Sequence, residues 1–329
     1  MRMNKRLMYI MIGLCVMVIC GIGYSHYTQQ QHTSKELPTI GVLQFVSHPS
    51  LDLIREGFID EMAKQGYKDN QTAHIMYQNA QGDQSKLSSM SQQLLSREPD
   101  ILVGIATPAA QALANQTTSI PIMLGAISDP VGAGLVASRE HPGGNITGVS
   151  HQAPVKQQIK LIKDILPEVK TVGVIYCSAE DNSIFQVEQF KKEVGDQFDI
   201  KTYVVPSTNE IAQMSHVMVS EVDAVYIPTD NIIANGYQTL VDIADKASIP
   251  LFPSVDTMVT DGGLATVGIN QYQLGVKTAQ MTVDVLEGNS DPSDTPVYTF
   301  TEGDLIINEE KAQKLGITIP ETIKEEAKK

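Results

Sequence analysis

Short apolar runs alternating with helical periodicity are written twice along this chain, and the duplication constrains the fold more than any other feature. TIGVL from Thr39 returns as TVGVI from Thr171, DILVGIAT from Asp100 as DAVYIPT from Asp223, and IPIM from Ile120 as IPLF from Ile249. The offsets are 132, 123 and 129 residues. A fourth match pairs NITGVS from Asn145 with LATVGIN from Leu264. Four matches in one order are hard to dismiss as accident.

Each copy reads as strand, polar loop and amphipathic helix. Residues 39–45 form a strand, and Leu51, Ile54, Phe58 and Met62 share a helical face that Gly66 terminates. Leu87, Met90 and Leu94 repeat that spacing, as do Ile184, Val187, Phe190 and Val194 in the second copy. ILVGI (101–105) is the continuous apolar run expected of a parallel strand covered on both faces. The last strand of each copy leads into a long helix, over 153–166 (Val155, Ile159, Ile162, Leu166) and over 271–287 (Leu274, Thr278, Met281, Val285). The fold class is α/β, with two doubly wound lobes in tandem. Open parallel sheets bind ligands beyond the carboxyl ends of their strands, so facing lobes make a ligand cleft between them.

Composition narrows the function. The 329 residues are 42% hydrophobic and 19% charged, which suits a large folded core. Basic residues number 24 against 38 acidic, a net charge of −14, which argues against a nucleic-acid partner. Three cysteines make no disulfide framework, and seven scattered histidines show no metal-ligand spacing. Arg2, Lys5 and Arg6 precede an uncharged apolar run from Leu7 to Gly23. Residues 1–24 therefore read as an export signal, cleaved or kept as a membrane anchor, and 25–37 as a polar tether. Cys15 follows Leu14 and Cys20 follows Ile19, so no lipobox is evident. The sequence places Cys177 outside the signal, where a lone thiol reads as a small buried hydrophobe.

The loops after the strands carry the candidate site. Thr107 is a good N-cap and Pro108 suits the first helical position, leaving the amides of Ala109 and Ala110 to form an anion pocket. The matching turn of the second copy is Thr229, Asp230 and Asn231. One lobe thus offers a pocket for an anion and the other a carboxylate, a polarity that suits a zwitterion. Gln44 to Ser50, with Ser47, and Ser178 to Ser183, with Asn182, are the paired first loops. Ser128, Asp129 and Ser254 follow other strands, and Asn270 and Tyr272 sit where the chain returns between lobes, with Tyr272 placed to line the cleft. His48, His141 and His151 fall in loops, where a solvated imidazole is the default. There is no GxxxxGK[ST], no GxSxG and no nucleophile–base pair, and Gly132 to Ala137 only imitates a dinucleotide fingerprint; no cofactor, metal or catalytic residue is expected.

ATPAAQAL (106–113), SDPVGAGLV (128–136), GGNITGVS (143–150), AEDNS (179–183), PTDN (228–231) and NQYQLG (270–275) resemble the substrate-binding components of ABC transporters. The subgroup is the one associated with tryptophan and other aromatic amino acids, and the resemblance covers roughly residues 38–320. It implies a type I periplasmic-binding-protein fold with three hinge crossings, placed near 150, 270 and 290. The lobes are then 38–150 plus 270–290 and 151–269 plus 291–329. It further implies an extracytoplasmic, non-enzymatic, monomeric receptor that closes on an amino acid and docks on an ABC permease. Thr107 and the amides after it would hold the ligand carboxylate, and Asp230 its ammonium, with Asn182 and Ser183 assisting. Another amino acid or small solute remains open as ligand, as does a sensor or enzyme on the same bilobal fold.

Overall fold

The computed structural model describes residues 37–300 and 302–327. The expected signal segment and nearly all of the tether lie outside them. The first half runs β1 (Thr39–Gln44), α1 (Pro49–Lys64), β2 (His74–Asn79), α2 (Gln84–Leu95), β3 (Ile101–Ile105), α3 (Thr107–Ala114), β4 (Ile122–Ile127) and β5 (Ile146–Ser150). The second runs α4 (Val155–Ile165), β6 (Thr171–Cys177), α5 (Asp181–Val194), β7 (Asp199–Val205), α6 (Ile211–Met218), β8 (Ala224–Ile227), α7 (Asn231–Asn235), α8 (Tyr237–Ala247), β9 (Leu251–Pro253), α9 (Asp256–Thr260) and β10 (Ala265–Gly268). The chain then gives α10 (Gln271–Leu286), β11 (Tyr298–Thr299), β12 (Asp304–Ile307), α11 (Glu309–Leu315) and α12 (Glu321–Glu326).

The duplication is visible in the strand order. The first sheet reads β11-β5-β4-β3-β1-β2 and is parallel throughout. The second reads β7-β6-β8-β9, also parallel, and the Leu264 amide donates to the Leu251 carbonyl at 2.7 Å where β10 comes alongside β9. β10 then pairs antiparallel with β12. An acidic staple is also repeated at the amino ends of the strands. Asp100 accepts the Thr39 amide at 2.7 Å, and Asp223 accepts the Thr171 amide at 2.9 Å. β3, β4 and β5 are buried at every position because helices cover both faces of the sheet.

Three details depart from the sequence reading. Val187, Phe190 and Val194 are buried on α5, but Ile184 is 41% exposed, because α5 turns that position to solvent. The third crossing lies later than residue 290: β11 pairs with β5, so the first sheet keeps the chain as far as Thr299. β12 joins the second lobe through β10 only after that. Finally, α10 packs on α1 with almost no side chain between them. A Cβ on Gly57 would lie 2.2 Å from the Tyr272 carbonyl oxygen, and one on Gly275 would lie 1.9 Å from that of Ile54. Only glycine permits this approach at both positions. Among the described residues no helix is long and apolar enough to cross a membrane.

Candidate ligand-binding site

The carboxyl ends of β1, β3 and β4 face those of β6 and β8 across a small cavity. From the first lobe come His48, Ser50, Leu51, Ile54, Ala106, Thr107, Ala126 and Ser128. From the second come Asn182, Thr229, Asp230, Asn231, Ala234 and Val255. His151 and Gln271 line it from the first and second crossings between lobes.

The first lobe meets the cavity with strained backbone. Ala106 has φ 75° and ψ 154°, and Ala126 has φ 65°. Such conformations cost a non-glycine residue on the order of 1–3 kcal/mol and persist where surrounding bonds over-determine them. Here the Ala106 amide donates to the Gly125 carbonyl at 3.2 Å, and its carbonyl accepts the Ala110 amide at 3.1 Å. α3 accordingly begins at Thr107 with Ala106 as its N-cap, and Pro108 falls in the first turn. This corrects the expected cap by one residue. Ala110's amide is used within the helix, so Thr107 and Ala109 are left as first-turn donors without intrahelical acceptors. Thr107 reaches the cavity, while Pro108, Ala109 and Ala110 are buried behind it.

The second lobe meets it with acid. Asp230 caps α7, accepting the Ile233 amide at 2.8 Å and also the Cys177 amide. Glu180, fully buried, accepts the Ile232 amide at 3.0 Å, Asn182 Nδ2 at 3.1 Å and Asn231 Nδ2. Burial, and then the charge of Asp230, push the Glu180 carboxyl up to about 8, and burial also raises that of Asp230. Among the described residues neither Lys nor Arg lines the cavity. Two acids buried at one helix start without a cation are costly to ionise. Cys177, beneath them, is buried, and desolvation lifts its thiol to about 11.

His48 and His151 are 7% and 1% exposed, so the solvated-loop expectation fails for both, while His141 is exposed. Desolvation lowers each buried imidazole to about 4, which keeps it neutral near pH 7. His48 Nε2 lies 3.4 Å from Asn231 Oδ1 across the cleft. Other bonds also join the lobes: Gln84 Nε2 to the Ala179 carbonyl at 2.8 Å, Gln111 Nε2 to Asp181 at 2.7 Å, and Gln186 Nε2 to Ser128 Oγ at 3.2 Å. Four buried polar atoms at the cavity have no partner among the described residues: His48 Nδ1, His151 Nε2, Asn182 Oδ1 and Thr229 Oγ1. Buried polar atoms are normally paired, so four orphans around one space mark it as built for a polar guest.

Of the residues named from sequence, Thr107, Ser128, Asn182, Asp230 and Asn231 meet at this cavity. Ser183 is buried just behind and bonds Asp230. Gln44 is buried in β1 and donates to Asp52 at 2.8 Å, and Ser47 donates to the same carboxylate at 2.6 Å. Asp129 lies 3.8 Å from Arg139, Ser178 is exposed, and Ser254 bonds the Ile227 carbonyl in the second core. Asn270 is exposed and caps α10. Tyr272 points away from the cleft, its hydroxyl donating to Asp60 at 3.0 Å, and its neighbour Gln271 faces the cavity instead. The sequence reading missed Glu180, His48, His151 and Gln271. Glu180 stands inside the AEDNS run and could have been found as a second acid beside Asp230.

Comparison with known proteins agrees with this geometry. A family model described as ABC transporter substrate binding protein matches residues 39–329. The chain is 37% identical over 285 residues to a tyrosine-binding protein of Clostridioides difficile, covering 86% of this chain and 82% of that one. It is 52% identical to an ABC domain from Streptococcus pneumonia solved in complex with L-Trp, with a TM-score of 0.86 over 88% of this chain and 98% of that one. A ligand-free, open substrate-binding protein with adhesive properties from Clostridium difficile is 38% identical, with a TM-score of 0.66 over 86% and 96% of the two chains. With two like-wound lobes, a polar cavity held between them and a family match spanning both, the chain belongs to the ABC transporter substrate-binding proteins.

Proposed function

We propose that the protein captures an amino acid with an aromatic side chain, such as tryptophan, tyrosine or phenylalanine, and presents it outside the cytoplasm to an ABC permease, doing no chemistry on it. The carrying observation is the charge pattern of the cavity. Asp230 and Glu180 lack a cation at one wall, and the opposite wall offers Thr107, Ser128 and first-turn amides to an anion. A zwitterion answers both. Its ammonium sits by Asp230, Asn182 and Thr229, its carboxylate by Thr107 and Ser128, and its side chain against Leu51, Ile54, Ala234 and Val255. Charge-assisted bonds at both ends supply orientation, and the apolar wall supplies desolvation.

The relatives bound to L-Trp or named for tyrosine support the aromatic choice. The higher TM-score against the Trp complex than against the ligand-free open structure supports reading the lobes as closed. The apolar run behind Arg2, Lys5 and Arg6 supports export, with membrane tethering if it is retained. The test is a thermal-shift screen of the purified protein against the twenty amino acids. A ligand at one hundred times its Kd adds about 2.7 kcal/mol of stability. Tryptophan, tyrosine or phenylalanine should give the largest rise. A rise with sugars alone would overturn the zwitterion reading.

A further inference from the structure

We propose that His151, with His48 beside it, makes this cavity selective for an aromatic amino acid whose ring carries a hydrogen-bond donor, an indole N–H or a phenol O–H, over one whose ring is bare. This deepens, and rests on, the reading of the site as an aromatic amino-acid pocket.

The two ends of a zwitterion are provided for by Asp230, Asn182 and Thr229 on one side and by Thr107 and Ser128 on the other. That leaves polar atoms the zwitterion does not need. His151 Nε2 is buried without a partner, and His48 keeps one ring nitrogen unpartnered after Nε2 faces Asn231. His151 stands at the first crossing between lobes, its backbone amide donating to the Ile127 carbonyl at 2.9 Å, so its main chain is held to the first sheet. Among the described residues no Phe, Tyr or Trp lines the cavity, and these two imidazoles are the aromatic rings at its wall. A buried imidazole that stays neutral has one nitrogen with a lone pair, and that nitrogen accepts a hydrogen bond. A ring donor on the ligand satisfies it. A phenyl ring leaves it orphaned in a dry site, which is the arrangement that lets a protein reject an analogue lacking a single polar group. The relative solved with L-Trp and the tyrosine-binding relative both carry amino acids with such a donor.

Titration calorimetry of the full chain with L-tryptophan, L-tyrosine, L-phenylalanine and benzothienylalanine, the sulfur analogue of tryptophan without the N–H, tests this without altering the protein. Tryptophan should bind at least about 10-fold more tightly than benzothienylalanine, and tyrosine or tryptophan at least about 10-fold more tightly than phenylalanine. In His151→Leu both ratios should shrink to within about 3-fold, and His151→Gln, which restores an acceptor, should recover part of them. Equal affinity for tryptophan and its sulfur analogue in the unaltered protein overturns the proposal. So does a His151→Leu protein in which the ratios survive. If no aromatic amino acid binds at all, the zwitterion reading has failed instead, and the two failures are told apart by that first titration.

Discussion

The two lobes share a strand order and the acidic staple of Asp100 and Asp223, yet they finish their strands in opposite ways at the cleft. The first lobe ends β3 and β4 in small uncharged residues on strained backbone, Ala106 and Ala126. The second ends β6 and β8 in turns without positive φ that bury Glu180 and Asp230, with Asp230 capping α7 and Glu180 accepting the Ile232 amide of the same helix. The two lobes match at the end of the sheet that the acidic staples hold and differ at the end that faces the cavity. One lobe supplies backbone polarity and the other supplies formal charge. A symmetric pair of lobes could not orient a molecule with unlike ends.

The largest break in this contrast comes from Asp230→Ala. It removes the charge and leaves the Ile233 and Cys177 amides without an acceptor. Amino-acid binding should weaken by about 2–5 kcal/mol by titration calorimetry. Urea unfolding should show a loss of about 1–3 kcal/mol. Unchanged affinity would mean that the second lobe does not supply the charge.

A subtler test uses pH, because the lobes pull stability in opposite directions. Glu180 in the second lobe is raised from 4.5 to about 8, so the folded state holds its proton more tightly than the unfolded chain does. Stability from this group is present below pH 4.5 and is lost as pH rises toward 8. His48 and His151 are lowered from 6.5 to about 4, so their contribution is present above 6.5 and is lost as pH falls toward 4. Above pH 6.5 the imidazoles no longer contribute and the melting temperature of the ligand-free protein should fall toward pH 8 through Glu180, whereas below it the imidazoles are opposed by both raised acids, Glu180 and Asp230. Glu180→Gln should flatten the alkaline limb and steepen the acid limb, where Glu180 opposes the imidazoles. A melting profile whose alkaline limb is unaffected by that change would remove Glu180 from the balance.

The smallest effect belongs to the first lobe. Ala106→Gly releases the φ of 75° at a position where glycine is at ease, and the unfolding free energy should rise by up to about 1 kcal/mol in urea. A fall would show that the Ala106 methyl is worth more than the strain it carries.

The fold was legible because it was written twice. The repeated runs located β1, β3, β4 and β5 and their counterparts β6, β8, β9 and β10, but not the edge strands β2 and β7, and the helical faces followed from 3.6-residue spacing on α1 and α2. The lining of the cavity was legible where chemistry sits at a strand end, as with Thr107, Ser128, Asn182 and Asp230. It was not legible where burial depends on the lobes meeting. His48 and His151 look solvated until a second lobe covers them. Tyr272 and Gln271 are neighbours on the first turn of α10, and only its packing on α1 decides which one faces inward. β11 is two residues long, too short for any periodicity, so the third crossing was placed too early.

The glycines that bring α1 and α10 into backbone contact carry a consequence for how the jaws travel. Both helices open on the cavity, α1 through Ser50 and Leu51 and α10 through Gln271. Because they interlock like a splint, they ride with the first sheet as one piece. Probes placed on that pair would keep a constant separation through a binding cycle. Probes on α2 and α5, which stand on opposite banks beside Gln84 and Asp181, would report every opening and closing stroke.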